Sequence, residues 1–211
     1  MLLIGQYDSP FVRRVGIAMT LYGIAFDHAP WSGFGDVDKI ARHNPLRRVP
    51  ALVLDDNSVL TDSFVILEAI DDMVGPDRAF LGRAGADRIA MLRLCAFAAG
   101  VADKGVSLVY ERAFREGLPM WVERCQSQVR DTLALLDAER AARTSEWLFG
   151  DQLSHADIVL ATMLRFISEA LPGMFAMSGL AALRRHSEAC EALPVFQSIC
   201  QPYQLTMPGE Q

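Results

Sequence analysis

Lysine is almost missing from this chain. Among 211 residues only Lys39 and Lys104 occur, and every other basic residue is arginine. That skew implies no function by itself. Positive charge is also in the minority: acidic residues outnumber basic ones by 26 to 20, for a net charge of −6. This argues against nucleic acid or an anionic membrane surface as the main partner. Cysteine is scarce and scattered, at Cys95, Cys125, Cys190 and Cys200. None forms a C-x-x-C pair and no histidine gathers beside them, so zinc and dithiol redox chemistry are disfavoured. Each reads as buried apolar filler in a reducing compartment. Long hydrophobic runs are absent too. Arg93 and Lys104 bracket the longest candidate, near Leu94–Val101, which is short of the roughly 20 residues that span a bilayer. The first residues, MLLIGQYD, lack the basic region and apolar core of a signal peptide, so the expected location is the cytoplasm. No internal repeat or low-complexity segment occurs. What remains is a chain 51% hydrophobic and 22% charged, enough for a globular protein of one large or two small domains.

The stretch NPLRRVPALVLDDNSVLTDSFVILEAIDD, residues 44–72, organises the rest. Asn44-Pro45 marks a turn. Ala51–Leu54 is a short apolar run after Pro50. Asp55–Ser58 is a polar hairpin loop, and Val59-Leu60 resumes the pattern. Thr61-Asp62-Ser63 offers cap residues before Val65, Ile66, Ala69 and Ile70, which recur at helical spacing. Two features here carry possible chemistry. If the Val49-Pro50 bond is cis, the Val49 backbone turns outward and can pair with an extended peptide-like ligand. X–Pro bonds are cis in only about 5% of cases, so an ordinary trans proline stays open. Asp62-Ser63 at a helix start suits a carboxylate through free N–H groups, with the acidic side chain beside it suiting an ammonium. Together these are the end of an amino acid. A plain helix cap explains the same residues.

In order along the chain, Leu2–Ile4 reads as a buried strand. Ser9 then caps a helix with Pro10 at its first position. That helix runs from about Phe11 to Tyr22, with Val12, Val15, Ile17-Ala18 and Leu21 facing inward, and Gly23 stops it. Ala25–Ala29 is a second strand, and a short helix lies near Val37–His43. The order β-α-β-α-β-β-α is that of a thioredoxin-like domain. Gly75–Gly85 is a boundary rich in Gly, Pro and charge. Beyond it the pattern is helical throughout: Arg88–Arg115, with a break near Gly100 or Gly105; Pro119–Ala142; Ala156–Leu171, opened by a Ser154/Asp157 capping box with a Leu153–Ile158 staple; and Leu180–Ala192. Leu193-Pro194 starts a tail with Phe196, Tyr203 and Pro208.

NPLRRVPAL followed by LTDSFVILEAID resembles the glutathione-binding half of the cytosolic glutathione transferases. The Gly150-Asp151 and Ser154-x-Ala156-Asp157 arrangement resembles the folding signature of their helical domain. The resemblance implies an α+β thioredoxin-like domain at 1–74, a linker at 75–84 and an all-α helical-bundle domain at 85–211. It implies glutathione as co-substrate, with no metal. The catalytic hydroxyl of that family sits after the first strand, and Ser-Pro-Phe-Val-Arg resembles its serine-type members, which assigns the role to Ser9. A hydroxyl donated to sulfur at a helix N-terminus stabilises a thiolate. Tyr7 is a rival hydroxyl, expected to be packed. A cysteine at position 9 would imply mixed-disulfide chemistry, and Ser9 implies conjugation, thiol addition or peroxide reduction instead. Arg48, Val49, Pro50, Asp62 and Ser63 map onto the glutathione contacts, with Asp62 standing where the family often has Glu. A second-substrate pocket between the domains draws on Phe11, Trp31, Tyr110 and Phe114. His28, His43, His155 and His186 form no constellation. The family also implies a homodimer, in which the first domain of one subunit pairs with the helical domain of the other; in this sequence Asp71-Asp72 and Arg88 and Arg93 are the charges that could meet across its two-fold axis. Two alternatives share the fold: a glutathione or hydrophobic-ligand carrier without turnover, and a protein-interaction module.

Overall fold

The computed structural model describes residues 1–82, 85–175 and 177–206. Arg83 and Ala84 of the boundary, and Pro208 of the tail, lie outside the described residues. The chain divides into two compact units. One holds the described residues of Met1–Arg83 and Leu193–Gln211, the other those of Ala84–Ala192. The sequence places everything after residue 84 in the helical domain. The structure instead joins the tail to the first unit.

The first unit carries β1 (Leu2–Ile4), α1 (Pro10–Tyr22), β2 (Asp27–Ala29), α2 (Val37–Ala41), β3 (Ala51–Val53), β4 (Val59–Thr61) and α3 (Ser63–Val74). The four strands form one mixed sheet in the order β2-β1-β3-β4. β1 runs parallel to β2 and antiparallel to β3, and β3 is antiparallel to β4. Strand side chains alternate between faces. Ile4, Ala29 and Ala51 therefore share one face, where they bury Ile40 of α2 among them. Leu3 and Leu52 take the other face, and they are as completely buried as Ile17 of α1 and Ile66 and Ile70 of α3. The sequence puts Leu21 on the inner face of α1, yet Leu21 is exposed while Arg13 and Arg14 are buried.

Long-range bonds attach the tail. Phe196, on the short helix α8 (Pro194–Ser198), is fully buried. Arg13 of α1 donates from Nε to the Ile199 carbonyl and from Nη2 to the Phe196 carbonyl, both at 2.8 Å. The Gln204 N–H reaches Asp8 Oδ2 at 3.1 Å. The segment after α3 is anchored similarly. The Tyr22 hydroxyl donates to Asp71, accepts from the Phe80 N–H at 2.6 Å, and its ring stacks on Phe80. Burial and the Asp71 carboxylate push the Tyr22 phenol far above its ordinary range. Asp71 is thus buried inside the unit. Arg93 of the second unit pairs with Glu139 at 2.8 Å.

In the second unit, α4 (Ala86–Phe114) packs on α5 (Pro119–Ala141) and α6 (His155–Ala170), and α7 (Ala181–Glu191) packs on α5 and α6. α4 is continuous through Gly100 and Gly105. Gly105 is a packing residue: a Cβ there would lie 2.5 Å from Ile167 Cδ1. At the start of α6, Asp157 accepts from the N–H and hydroxyl of Ser154 at 2.8 and 2.6 Å and from the Leu148 N–H at 2.8 Å. His186 of α7 lies beside this carboxylate. Its Nδ1 accepts from Arg140 Nε at 3.1 Å, which leaves the ring proton on Nε2, 3.3 Å from Asp157 Oδ1.

Candidate active site

Sheet register gathers three segments that are far apart in sequence. Ile4 pairs with Ala51, and Ala51 with Thr61. The end of β1, the start of β3 and the end of β4 therefore lie at one end of the sheet. The residues just beyond those positions are Gly5–Ser9, Val49-Pro50 and Asp62-Ser63.

The first segment leads into α1. Gly5, at φ 129°, lets it pass: a side chain there would strike Val12 Cγ2 at 2.5 Å and Val49 Cβ at 2.8 Å. Close approach of α1 and the Val49 loop thus depends on a missing Cβ. Ser9 is the N-cap of α1, in extended conformation, and its Oγ accepts from the Val12 N–H at a long 3.4 Å. A hydroxyl that accepts from the backbone keeps its own proton to give. The first turn of α1 holds no acidic residue. Tyr7 is packed as expected. Its ring stacks on His28 at 3.9 Å and lies against Gly16, and burial raises its phenol.

The second segment is held by Asn44, which is buried. Its Nδ2 donates to the Arg48 carbonyl at 2.8 Å, and its Oδ1 accepts from the Leu46 N–H at 3.0 Å. The Val49-Pro50 peptide bond is cis. Among the described residues no hydrogen bond uses the N–H or C=O of Val49. Arg47 and Arg48 are exposed beside it.

The third segment opens α3. Asp62 sits at φ 68°, and its Oδ1 accepts the Phe64 N–H at 2.8 Å, so it caps the helix from an exposed position. Ser63 is buried and its hydroxyl accepts from Arg14 of α1. The Arg14 guanidinium is itself flanked by Phe64 and Phe11, 4.4 and 5.7 Å from their ring centres.

The aromatic residues named for a second substrate belong to both units. Phe11 lies by Arg14. Trp31 packs against the Ile4–Ile40 cluster and lies 5.8 Å from His43. Tyr110 and Phe114 belong to the second unit, on the last turns of α4, where their rings touch and are 41% and 44% exposed. Sequence reasoning missed Gly5, Arg13 and Arg14. The signal for the arginines was available: two adjacent charges inside the apolar run FVRRVGIAM. Among the described residues no three His, Cys, Asp or Glu side chains gather as metal ligands, and no helix is long and apolar enough to cross a membrane.

Comparison with known families decides what this arrangement belongs to. Residues 8–73 match the glutathione S-transferase N-terminal domain, and residues 119–189 match the glutathione S-transferase C-terminal domain. The chain belongs to the glutathione transferase family. Among solved structures, the glutathione transferase of Methylobacterium radiotolerans, in complex with glutathione sulfonate, is 26% identical with a TM-score of 0.89, over 96% of this chain and 95% of that one. The transferase of Methylobacillus flagellatus, with glutathione bound, is 26% identical with a TM-score of 0.85, over 96% and 99%. An uncharacterised glutathione transferase-like protein of Escherichia coli, YibF, is 35% identical over 114 residues, which are 54% of this chain and 55% of that protein. The chain thus spans about half the length of that curated relative.

Proposed function

We propose that this protein is a glutathione transferase that binds glutathione across the end of its sheet and activates the thiol with Ser9. One observation carries the reading: register brings the open cap of α1, the unpaired backbone of Val49 and the start of α3 to one place. The spacing of functions suits the tripeptide. Ser63 and the first N–H groups of α3 receive the γ-glutamyl carboxylate, and Asp62 receives its ammonium. The cysteinyl unit pairs with Val49 as an added strand, beside Pro50. Arg48 meets the glycine carboxylate. The sulfur then falls to Ser9, whose hydroxyl keeps its proton and donates a hydrogen bond to the thiolate. A free thiol titrates near 8.5, so this donor raises the thiolate fraction at neutral pH. The thiolate forms a bond to an electrophilic carbon while the leaving group departs with its electron pair. With a peroxide, the sulfur instead takes one oxygen and an alcohol leaves. Of the aromatic residues considered for the electrophile, Tyr110 and Phe114 keep the exposed ring faces that a hydrophobic substrate needs.

The working form in this reading is a cytoplasmic homodimer. Exposed apolar side chains on α3 and α4, Val65, Met73 and Ile89, give it support. Light scattering over a range of concentrations tests the dimer, and a mass that stays at 23.3 kDa removes it. The function is tested by a thermal shift with glutathione and a conjugation assay with a panel of electrophiles. Glutathione at a hundredfold excess over its dissociation constant adds about 2.7 kcal/mol. No shift at millimolar glutathione overturns the reading, and a shift without turnover toward any electrophile converts the protein to a carrier.

A further inference from the structure

We infer that His28 of β2 is a positioning residue for Ser9, acting through the turn that leads from β1 into α1. This rests on the reading of Ser9 as the donor to the thiolate, and it adds a residue from the neighbouring strand.

The Ser9 N–H donates to the Gln6 carbonyl at 3.2 Å, so residues 6–9 form a β-turn with Tyr7 and Asp8 at its centre. The aim of the Ser9 hydroxyl depends on how that turn leaves β1. His28 grips the turn twice. It is the middle residue of β2 and pairs in register with Leu3, so its side chain stands on the same face of the sheet as that of Leu3. Its Nε2 lies 2.7 Å from the Gly5 carbonyl. A carbonyl only accepts, so Nε2 carries the proton and donates. That bond fixes the plane of the peptide between Gly5 and Gln6, by which the chain enters the turn. The Gly5 N–H donates to the Ala29 carbonyl at 2.9 Å, so β2 holds Gly5 by both of its backbone groups. Gly5 needs such partners. At φ 129° it relies on glycine's conformational freedom, and that freedom leaves the peptide plane to be set from outside. The second grip is on Tyr7, the first central residue of the turn. The His28 ring stacks on the Tyr7 ring at 3.9 Å with 13° between the planes. Tyr7 in turn lies against α1, where a Cβ on Gly16 would come within 2.8 Å of its ring. One side chain therefore holds the peptide before Gln6 and the ring after it. A hydroxyl that must meet a sulfur is sensitive to such support, since a misplacement of about 1 Å can cost 10²-fold in rate.

The test follows the proton of the sulfur. Thiolate absorbance of bound glutathione is titrated against pH in the parent, Ser9→Ala, His28→Phe, His28→Gln and the double variant Ser9→Ala/His28→Phe. Affinity for S-methylglutathione, which has no thiol proton, is measured calorimetrically in each. Phenylalanine keeps a ring against Tyr7 and loses the donor; glutamine keeps an N–H at similar reach and loses the ring. His28→Phe is expected to raise the thiolate midpoint by about one pH unit, a tenfold loss in the thiolate equilibrium. His28→Gln titrates with the parent. Affinity for S-methylglutathione changes by no more than about twofold in the single His28 variants. The double variant titrates like Ser9→Ala alone, because a residue that acts through Ser9 has nothing to add once the hydroxyl is gone. If His28→Phe does not fold, His28→Leu, also without a donor, takes its place. A parent-like titration of the donorless variant overturns the proposal. So does an equal shift in His28→Gln, which assigns the effect to the ring, and so does a double variant whose shift is the sum of the two. A parent-like titration of Ser9→Ala is a separate outcome, which removes the Ser9 reading itself and this proposal with it.

Discussion

Two helices of this protein start with a capping serine, and the two starts are built for different ends. At α6, Ser154 is buried and bound by Asp157, which collects its N–H, its hydroxyl and the Leu148 N–H. At α1, Ser9 is half-exposed, and its one helix-capping contact is the 3.4 Å bond from Val12. The deciding residue is the third of each helix. Asp157 reaches back and closes the α6 start with an internal anion. Val12 has no such group, so the α1 start lacks that internal anion, and in the proposed function its donors serve the ligand. The same residue type holds the same helical position in both units, and a side chain that reaches back to it is present at α6 and absent at α1.

The largest expected effect comes from breaking the closed start. Asp157→Ala leaves the buried N–H groups of Ser154 and Leu148 without their acceptor, and each such group costs about 1–3 kcal/mol. Urea unfolding should show a loss of about 3 kcal/mol or more. The open start should respond differently: Ser9→Ala is expected to lower kcat/KM for conjugation by about 10²–10³, the value of one donor aimed at developing charge. Its stability should change little.

A pH experiment sharpens the same contrast. Burial, then the charge of Arg140, pushes the His186 imidazole down to about 4, against about 6.5 in an unfolded chain. Arg140, Asp157 and Cys190 face this ring. Below pH 6.5 the unfolded chain binds the proton that the folded one refuses. The contribution of neutral His186 is therefore fully present above about 6.5 and is lost as the pH falls toward 4. The slope is about 1.4 kcal/mol per pH unit for one group. Comparing chemical unfolding of the parent and His186→Gln between pH 4 and 7 isolates it. Parallel profiles would contradict the assignment. The smallest effect compares the serines for stability alone. Ser154→Ala should cost about 1 kcal/mol, and Ser9→Ala about 0.5 kcal/mol, near the bottom of the range for caps. Equal costs would mean that both starts are structural.

The sequence carried the parts of this account that depend on neighbours along the chain. Ser9-Pro10 and Gly23 bound α1 as expected, and the order of strands and helices in the first unit follows from turn residues and periodicity. The Ser154/Asp157 pairing was legible for the same reason. What could not be read depended on packing between distant segments. Arg13 and Arg14 stand out in the sequence only as two charges inside an apolar run, and their partners, Phe196, Ile199 and Ser63, come from elsewhere in the chain. The tail had no local mark of which unit it would join. Gly100 and Gly105 suggested a break in α4, yet Gly105 is there because Ile167 and Phe166 press against the helix. The proposed glutathione contacts lie between these cases: Val49 and Ser63 can be named from motif, while the register that brings their segments to the end of the sheet where Ser9 lies is a property of the fold.

The claim that most needs testing is that Ser9 holds a thiolate. Thiolate absorbance near 240 nm is measured for glutathione bound to the parent protein and to Ser9→Ala, with the pH varied from 5 to 9. The account predicts a midpoint well below the thiol's ordinary value of about 8.5 in the parent, and a return toward that value in the variant with glutathione still bound. Superimposable titrations would make Ser9 a helix cap and remove the difference between the two helix starts.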